Sequence, residues 1–207
     1  MVVAYGTDGL SVASKPLLEN FCRELSQAGY VAALPHYFEI TGTVPGFASV
    51  GAALTSANLA LWTKALVESV KWCEVNQGND RVGLVGFSLG GYMSARTAIA
   101  VPVKGLVDFF GPMTSFGLQP FPAGEEFNPL KANKLPQTQI HHGKHDFVVP
   151  TSESTTLLSW FTLAGRTDCE LFADYDCGHP QDPEARPWTV AEQVVATPRV
   201  LTFLTGI

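Results

Sequence analysis

The sequence has 207 residues, 46% of them hydrophobic, and its 13 Lys and Arg against 19 Asp and Glu give a formal net charge of −6. This hydrophobic content excludes a chain that is disordered throughout, and the acidic balance argues against nucleic acid or an anionic membrane surface as a partner. Because the chain has neither an apolar run near 20 residues nor a basic stretch before an apolar core at its start, we expect a cytoplasmic protein of one domain, residues 1–207, with no membrane partner.

The first predicted elements alternate strand and helix. The apolar run 2–5 predicts a buried strand. The following segment predicts a helix that Ser14 caps, with Pro16 in its first turn and Gly29 as its stop. Residues 30–34 then predict a second buried strand.

The middle of the chain begins with a loop and continues with the longest predicted helix. Residues 36–50 contain turn-forming residues, and the helical pattern covers roughly 51–75. A turn is predicted at residues 78–80, followed by a strand over 81–87 and a helix over 89–100.

The second half continues the alternation around one surface excursion. Residues 111–136 carry five prolines and no strong periodicity, which predicts a surface segment with a short helix near 128–133. The remaining predicted elements are strands over 103–110, 138–142 and 169–173 and helices over 152–163 and 189–204.

The predicted strands are near-continuous apolar runs, as expected of strands that are covered on both faces. Together with the strand–helix alternation, they predict an α/β fold: an open, mostly parallel sheet of about six strands with helices on both faces. In such sheets ligands bind beyond the carboxyl ends of the strands, so the residues that follow each strand are the candidates for chemistry.

One such strand end carries the sequence Gly86-Phe87-Ser88-Leu89-Gly90. The pattern G-x-S-x-G between a strand and a helix is that of the nucleophile elbow, in which a sharp turn projects the serine above the sheet. Glycines two residues on either side remove side chains that would collide there. The pattern alone also occurs by chance in Gly- and Ser-rich loops. The flanking strand and helix favour Ser88 as a nucleophile.

A serine hydroxyl needs a base, and in this fold the acid and then the histidine follow the nucleophile along the chain. Asp146 follows the strand over 138–142, and His179 is the only histidine after it. Asp108 is a competing acid, but it lies within a predicted strand and one strand too early. Each residue also has an ordinary interpretation, since Asp beside Gly is common in turns and a loop histidine is often only a surface residue.

The oxyanion that forms during attack on a carbonyl needs preorganised N–H donors. One donor is predicted to be the backbone N–H of Leu89, and the other that of Thr7, in the loop after the first strand. Gly6 is the alternative to Thr7, and the loop is alternatively a plain Gly-rich turn.

The sequence offers no standard metal site and requires no cofactor. His36, His141, His142 and His145 lie near the same sheet edge, but their spacing matches no standard zinc motif, and they are interpreted as solvated groups or as groups that support the site. The four cysteines show no CxxC spacing and are interpreted as reduced structural thiols.

Four segments together resemble the dienelactone hydrolase family of α/β-hydrolases: GYVAALP (29–35), GFSLGG (86–91), HGKHDFVVP (142–150) and CGHP (177–180). The resemblance implies a catalytic triad of Ser88, Asp146 and His179. It also implies a β-hairpin before the first strand, whereas this chain enters its predicted core at residue 2 without one.

The chain departs from the family pattern at two further places. Family members often have cysteine as the nucleophile and a glutamate where Gly6 stands, and a serine that histidine activates directly does not need that glutamate. Dienelactone hydrolases proper bind a substrate carboxylate with arginines, but residues 36–50 contain no Arg or Lys and the first Arg after His179 is Arg186. Without such arginines, the resemblance gives no support for binding of an anionic lactone.

The resulting hypothesis is a serine hydrolase that cleaves a small neutral ester or lactone through an acyl-enzyme. Acyl transfer, thioester cleavage and peptide hydrolysis on the same triad are alternatives, as is a non-catalytic binding protein, and the sequence leaves the oligomeric state open. Aromatic and sulfur-containing side chains near the strand ends are the predicted pocket wall: Tyr37, Phe38, Phe109, Phe110, Met113 and Phe116.

Overall fold

The computed structural model describes residues 1–78, 81–117, 119–180, 182 and 184–207. Its strands are β1 (Val2–Ala4), β2 (Leu84–Phe87), β3 (Leu106–Phe109), β4 (Ser115–Phe116), β5 (Gln119–Pro120), β6 (Thr138–Gly143) and β7 (Cys169–Tyr175). Its α-helices are α1 (Lys15–Gln27), α2 (Phe47–Ala53), α3 (Ser56–Gln77), α4 (Leu89–Ala100), α5 (Pro129–Ala132), α6 (Ser152–Leu163) and α7 (Val190–Thr205), and Tyr37–Thr41 forms a 3-10 helix.

The described residues form a five-stranded sheet in the order β1-β2-β3-β6-β7, and all its strand pairs are parallel. The predicted α/β architecture is confirmed, with five strands rather than about six. The predicted strand over 30–34 pairs only through one bridge, between Ala33 and Val2. The Tyr30 N–H is still bonded to the Leu25 carbonyl at the end of α1, and Pro35 has no N–H to donate.

Helices cover both faces of this sheet. On one face a ladder of stacked rings crosses four neighbouring strands, formed by Phe87, Phe109, His141 and Phe172. Phe21 of α1 packs edge-on against this ladder, and α7 packs against α1. Successive strand residues point to opposite faces, so α4 and α6 meet the side chains that alternate with the ladder.

The predicted helix over 51–75 is wrong in one respect, because the chain forms two helices there. Helix α2 ends at Ala53, and α3 begins after Thr55, whose side chain accepts a hydrogen bond from the Asn58 N–H. This cap stabilises a new helix start. The chain bends by 106° between the two helices. Among the described helices, no single one is long and apolar enough to cross a membrane, and this bent pair reaches that length only when its two helices are counted together.

Several other predicted elements agree closely with the structure. Helices α4 and α6 have the predicted bounds, and the short helix predicted near 128–133 is α5, capped by the Asn128 side chain. Gly78 ends α3 in the left-handed conformation, with φ of 63°. Residues 79 and 80 of the predicted turn lie outside the described part of the chain.

Candidate active site

Ser88 stands in the turn between β2 and α4, with φ of 54° and ψ of −126°. A non-glycine residue rarely adopts a positive φ, and here the surrounding backbone enforces it. A Cβ on Gly86 would lie 2.1 Å from the Gly90 carbonyl oxygen, and a Cβ on Gly90 would lie 2.2 Å from the Ala4 carbonyl oxygen. The first glycine therefore permits the sharp turn, and the second lets α4 start directly against the end of β1.

The structure brings together the three side chains that the sequence predicts for the triad. His179 Nε2 lies 2.9 Å from Ser88 Oγ, and His179 Nδ1 lies 2.8 Å from Asp146 Oδ2. A carboxylate only accepts hydrogen bonds, so the Asp146 contact favours a proton on Nδ1. Nε2 is then left as the acceptor for the Ser88 hydroxyl.

Asp146 is held in place by the loop that carries it. Its Oδ1 accepts hydrogen bonds from the N–H groups of Val148 at 3.0 Å and Val149 at 2.7 Å. Burial opposes ionisation of this carboxyl, but hydrogen bonds from His142, His179 and Val149 outweigh it and hold the pKa of Asp146 well below its usual range. The side chain is therefore an ionised, oriented acceptor.

His142 supports that loop from beneath. Its Nε2 lies 2.8 Å from the Val149 carbonyl oxygen and 3.4 Å from Asp146 Oδ2, and its Nδ1 lies 2.6 Å from Ser154 Oγ. The ring is fully buried. It thereby ties β6, α6 and the Asp146 loop into one hydrogen-bonded unit.

The competing acid, Asp108, lies elsewhere. Its carboxyl is fully buried against α4, where a Cβ on Gly91 would lie 1.9 Å from its Oδ1. Within the described residues that oxygen has no hydrogen-bond partner, and Oδ2 accepts only a long 3.4 Å bond from the Gly111 N–H. Burial raises the pKa of Asp108 to about 7, although the nearby His142 opposes the rise. A carboxyl of this kind is a poor partner for a histidine that must carry positive charge.

Replacing Asp108 with asparagine is expected to stabilise the protein more at pH 8 than at pH 5. In the folded state this carboxyl keeps its proton up to about pH 7, whereas in the unfolded chain it loses it near pH 4. The free energy of unfolding therefore falls as the pH rises between these values, by up to about 4 kcal/mol. Asparagine cannot ionise and removes that loss. Urea denaturation of variant and wild type at pH 5, 6.5 and 8 measures the difference.

Asp168→Asn is the matched control for this experiment, because its ion pair with Arg166 lowers the pKa of Asp168 and so leaves it ionised throughout this range. Its difference from wild type should be constant between pH 5 and 8. A constant difference for Asp108→Asn as well would contradict the expected titration.

The His179 loop is attached to the acid loop by Asp182, a residue that the sequence analysis did not single out. Asp182 Oδ2 accepts a 2.9 Å hydrogen bond from the Phe147 N–H. The Phe110 ring lies edge-on to the His179 imidazole, with 4.7 Å between the ring centroids. The first contact links the His179 loop to the Asp146 loop, and the second packs the imidazole against Phe110.

The loop after β1 lies directly beside the nucleophile. A Cβ on Gly6 would lie 2.9 Å from Ser88 Cβ and 3.5 Å from Ser88 Oγ, so this position has no room for a side chain. Thr7 lines the same cavity as Ser88. Leu89 is the first residue of α4, and the first N–H groups of a helix have no partner within it. The two predicted oxyanion donors thus flank Ser88, Thr7 on the loop after β1 and Leu89 at the start of α4.

A cavity of about 950 Å³ opens at the carboxyl edge of the sheet, and Ser88 and His179 line it. Two of the predicted pocket residues, Phe110 and Phe116, also line it. The remainder of the wall is mainly apolar and includes Leu17, Leu18, Phe47, Phe147, Val148 and Pro180.

The other four predicted pocket residues, Tyr37, Phe38, Phe109 and Met113, lie in the core instead and are at most 2% exposed. Tyr37 and Phe38 pack on Tyr5 and Trp62. These aromatic side chains therefore fill the protein core and do not form the cavity wall.

The other histidines divide into two kinds. His36 and His145 are exposed, as the interpretation as solvated groups implies, but His141 is fully buried between Tyr175 and Gln139. Burial lowers the pKa of His141 to about 3, so it is a neutral part of the core. No group of three or more His, Cys, Asp or Glu suited to a metal ion occurs among the residues that the structure describes.

The Cys177 thiol, which lies near His179 in the sequence, is not activated for nucleophilic chemistry. Cys177 is fully buried two residues before His179, and burial raises the pKa of its thiol to about 12. A thiol reacts as the thiolate. Ser88 is therefore the nucleophile candidate that contacts the imidazole.

The supporting residues differ in how visible they are in sequence. His142 follows His141 on a predicted strand, and alternation places it on the opposite face. That alternation could have indicated that His142 and His141 have different surroundings. Nothing local marks Asp182, Phe47 or Phe147, because their contacts join segments that are distant along the chain.

Comparison with family models matches residues 5–179 to the dienelactone hydrolase family. Among curated protein sequences, none matches the chain. A solved structure from Klebsiella pneumoniae subsp. pneumoniae, provisionally described as a dienelactone hydrolase, is 19% identical with a TM-score of 0.78 and is matched over 100% of this chain and 86% of its own.

Two further structures give similar results. The dienelactone hydrolase of Anabaena variabilis is 17% identical with a TM-score of 0.64, over 99% of this chain and 84% of that one. An esterase of Pyrococcus furiosus is 19% identical with a TM-score of 0.65, over 99% and 80%. At such low identity these likenesses show the fold. Since the family model spans most of the sequence, from the loop after β1 to His179, this chain belongs to the dienelactone hydrolase family of α/β-hydrolases, which act on ester bonds.

Proposed function

We propose that this protein is a serine esterase that cleaves a small ester or lactone through an acyl-enzyme intermediate. The observation that carries the proposal is the continuous pair of hydrogen bonds, 2.9 Å and 2.8 Å long, that joins Ser88 to His179 and His179 to Asp146. This relay ends at the wall of an apolar cavity. A nucleophile, a base and an orienting acid at such distances suit acyl transfer.

In the first half of the reaction, Ser88 Oγ forms a bond to the substrate carbonyl carbon while its proton passes to His179 Nε2. Asp146, ionised and fixed by two backbone N–H groups, stabilises the imidazolium that results. The proton then passes from Nε2 to the leaving oxygen as the ester C–O bond breaks. The leaving group departs as an alcohol, and Ser88 carries the acyl group.

In the second half, water takes the place of the Ser88 hydroxyl. Its oxygen bonds to the acyl carbon, its proton passes to His179 Nε2, and that proton returns to Ser88 Oγ as the acid is released. In both halves negative charge develops on the carbonyl oxygen. The N–H groups of Leu89 and Thr7 are the proposed donors to that oxygen, and the N-terminus of α4 adds a favourable dipole.

An activity assay combined with covalent labelling tests this function. We expect turnover of p-nitrophenyl butyrate, and we expect a fluorophosphonate probe to abolish it in proportion to labelling. Mass spectrometry of the digested protein should locate the label on the peptide that contains Ser88. Heat-denatured protein is the control and should not be labelled, because labelling depends on the folded relay. The proposal would be contradicted if the folded protein hydrolysed no member of an ester and lactone panel and was also not labelled by the probe.

A further inference from the structure

The wall of the active-site cavity carries an unbalanced charge. Asp8 lines the cavity together with Ser88 and His179, and within the described part of the chain no Lys or Arg lines it. The remaining wall is mainly apolar, so among the residues that the structure describes no permanent cation, Lys or Arg, neutralises the Asp8 carboxylate on this wall. An acyl group that enters the cavity therefore meets one negative charge close to the reacting centre.

The position of Asp8 is determined by a rigid loop. Its neighbour Gly9 donates a 3.1 Å hydrogen bond to the Gly6 carbonyl, and the Thr7 carbonyl accepts a 2.8 Å bond from the Gly46 N–H. Gly9 adopts a φ of 56°, and a Cβ there would lie 2.8 Å from Pro45 Cγ. The loop therefore cannot move Asp8 away from the cavity without breaking these contacts.

The carboxyl is also electrostatically linked to the base. Burial raises the pKa of Asp8 above its ordinary value, while the charge of His179 and a hydrogen bond from Thr7 act in the opposite direction. Because the side chain is only half-buried, it is ionised under the mildly alkaline conditions of an esterase assay.

We propose that Asp8 is a specificity-determining residue that makes the cavity select neutral and cationic acyl groups over anionic ones. The inference rests on the proposed ester hydrolysis and adds the charge of the substrate to it. A carboxylate on the substrate would share the mainly apolar cavity of about 950 Å³ with Asp8, where two like charges disfavour binding by roughly tenfold. A quaternary ammonium group on the substrate would bind more tightly, because the Asp8 carboxylate attracts its positive charge.

Three p-nitrophenyl esters of matched length test this inference at pH 8: the hexanoate, the adipate monoester and the 5-(trimethylammonio)pentanoate. For the wild type, corrected for spontaneous hydrolysis, we expect kcat/KM to be lowest for the adipate monoester, at about one-tenth of the hexanoate value or less. Asp8→Asn should raise the ratio of adipate to hexanoate by about tenfold and lower the ratio of the cationic ester to hexanoate.

Glu68→Gln is the matched control, since it removes the same formal charge from an exposed ion pair with Lys71 on α3. Its ratios should equal those of the wild type. Unchanged ratios in Asp8→Asn, with the esters still hydrolysed, would overturn the role of Asp8 and leave the esterase function intact.

A pair of dyes separates the two proposals further, because it needs no turnover. 1-Anilinonaphthalene-8-sulfonate and N-phenyl-1-naphthylamine differ only in the sulfonate. Asp8→Asn should strengthen binding of the sulfonate dye relative to the neutral one, as judged by fluorescence titration. If no ester is hydrolysed but the dyes respond in this way, the charge selectivity stands and the esterase function fails. An unchanged dye ratio would contradict the charge selectivity.

Discussion

Replacing Ser88 with alanine is expected to lower kcat/KM for p-nitrophenyl butyrate by about 10⁴-fold or more. The substitution removes the oxygen that is proposed to form the acyl bond, and water held near His179 is a poor replacement without covalent catalysis. Steady-state kinetics with background subtraction measures the loss.

The same substitution should hardly change stability. Among the residues that the structure describes, the Ser88 side chain makes one hydrogen bond, to His179, and alanine keeps the Cβ that the elbow already accommodates. We expect the melting temperature to shift by no more than about 4 °C. Ser159→Ala, which removes a hydroxyl from the exposed face of α6, should match the wild type in both measurements. Retention of a tenth of the wild-type activity by Ser88→Ala would exclude Ser88 as the nucleophile.

Replacing Asp146 with asparagine is expected to lower kcat by about 10⁴-fold, and the direction follows from how the side chain is held. The two N–H donors of Val148 and Val149 oblige the amide oxygen to face them. The amide NH₂ group then faces His179 Nδ1 and donates to it. The imidazole proton is displaced to Nε2, where it points at Ser88, so the histidine can no longer act as a base.

The amide group in this variant also meets a second donor. His142 Nε2 already donates to the Val149 carbonyl and lies 3.4 Å from the oxygen that NH₂ would replace. We therefore expect some loss of stability besides the loss of activity. Circular dichroism and a melting curve establish how much of the variant is folded, and kcat is expressed per folded molecule.

Asp176→Asn provides the matched control, since Asp176 is exposed and bonds only His145 among the side chains near this edge that the structure describes. Its kcat should stay within about twofold of the wild type. If Asp146→Asn keeps more than a tenth of the activity, the orienting acid is another residue. Asp108→Asn, assayed in parallel, then shows whether the competing acid has that role.

The neighbouring pair Phe109 and Phe110 illustrates where sequence reasoning reaches its limit. Both are aromatic, both end the same predicted strand, and both were expected in the pocket. Phe109 remains in the ring ladder on β3, whereas Phe110 turns to a φ of 46° and places its ring against His179. That turn depends on the hydrogen bond from the Phe110 N–H to the His141 carbonyl on β6, which no pattern local to residues 109 and 110 encodes.

The predicted helix over 51–75 shows a different limit. Its apolar periodicity continues through residues 54 and 55, so the pattern gave no reason for a break. The Thr55 cap is a local signal for a helix start. The break is favoured because the 106° bend between α2 and α3 lets Phe47 stack on Phe116 at the cavity. Tertiary packing therefore determined which of two locally acceptable conformations forms.

By itself, the sequence determined the alternation of strand and helix, the elbow around Ser88 and the chain order of the proposed nucleophile, acid and histidine, because periodicity, glycine spacing and turn chemistry act over a few residues. Only the tertiary structure decided which aromatic side chains face the cavity, that Asp108 is fully buried against α4, and that Asp8 lies on the cavity wall. Those outcomes depend on contacts between segments that are distant along the chain, and such contacts form only when the sheet and its helices pack together.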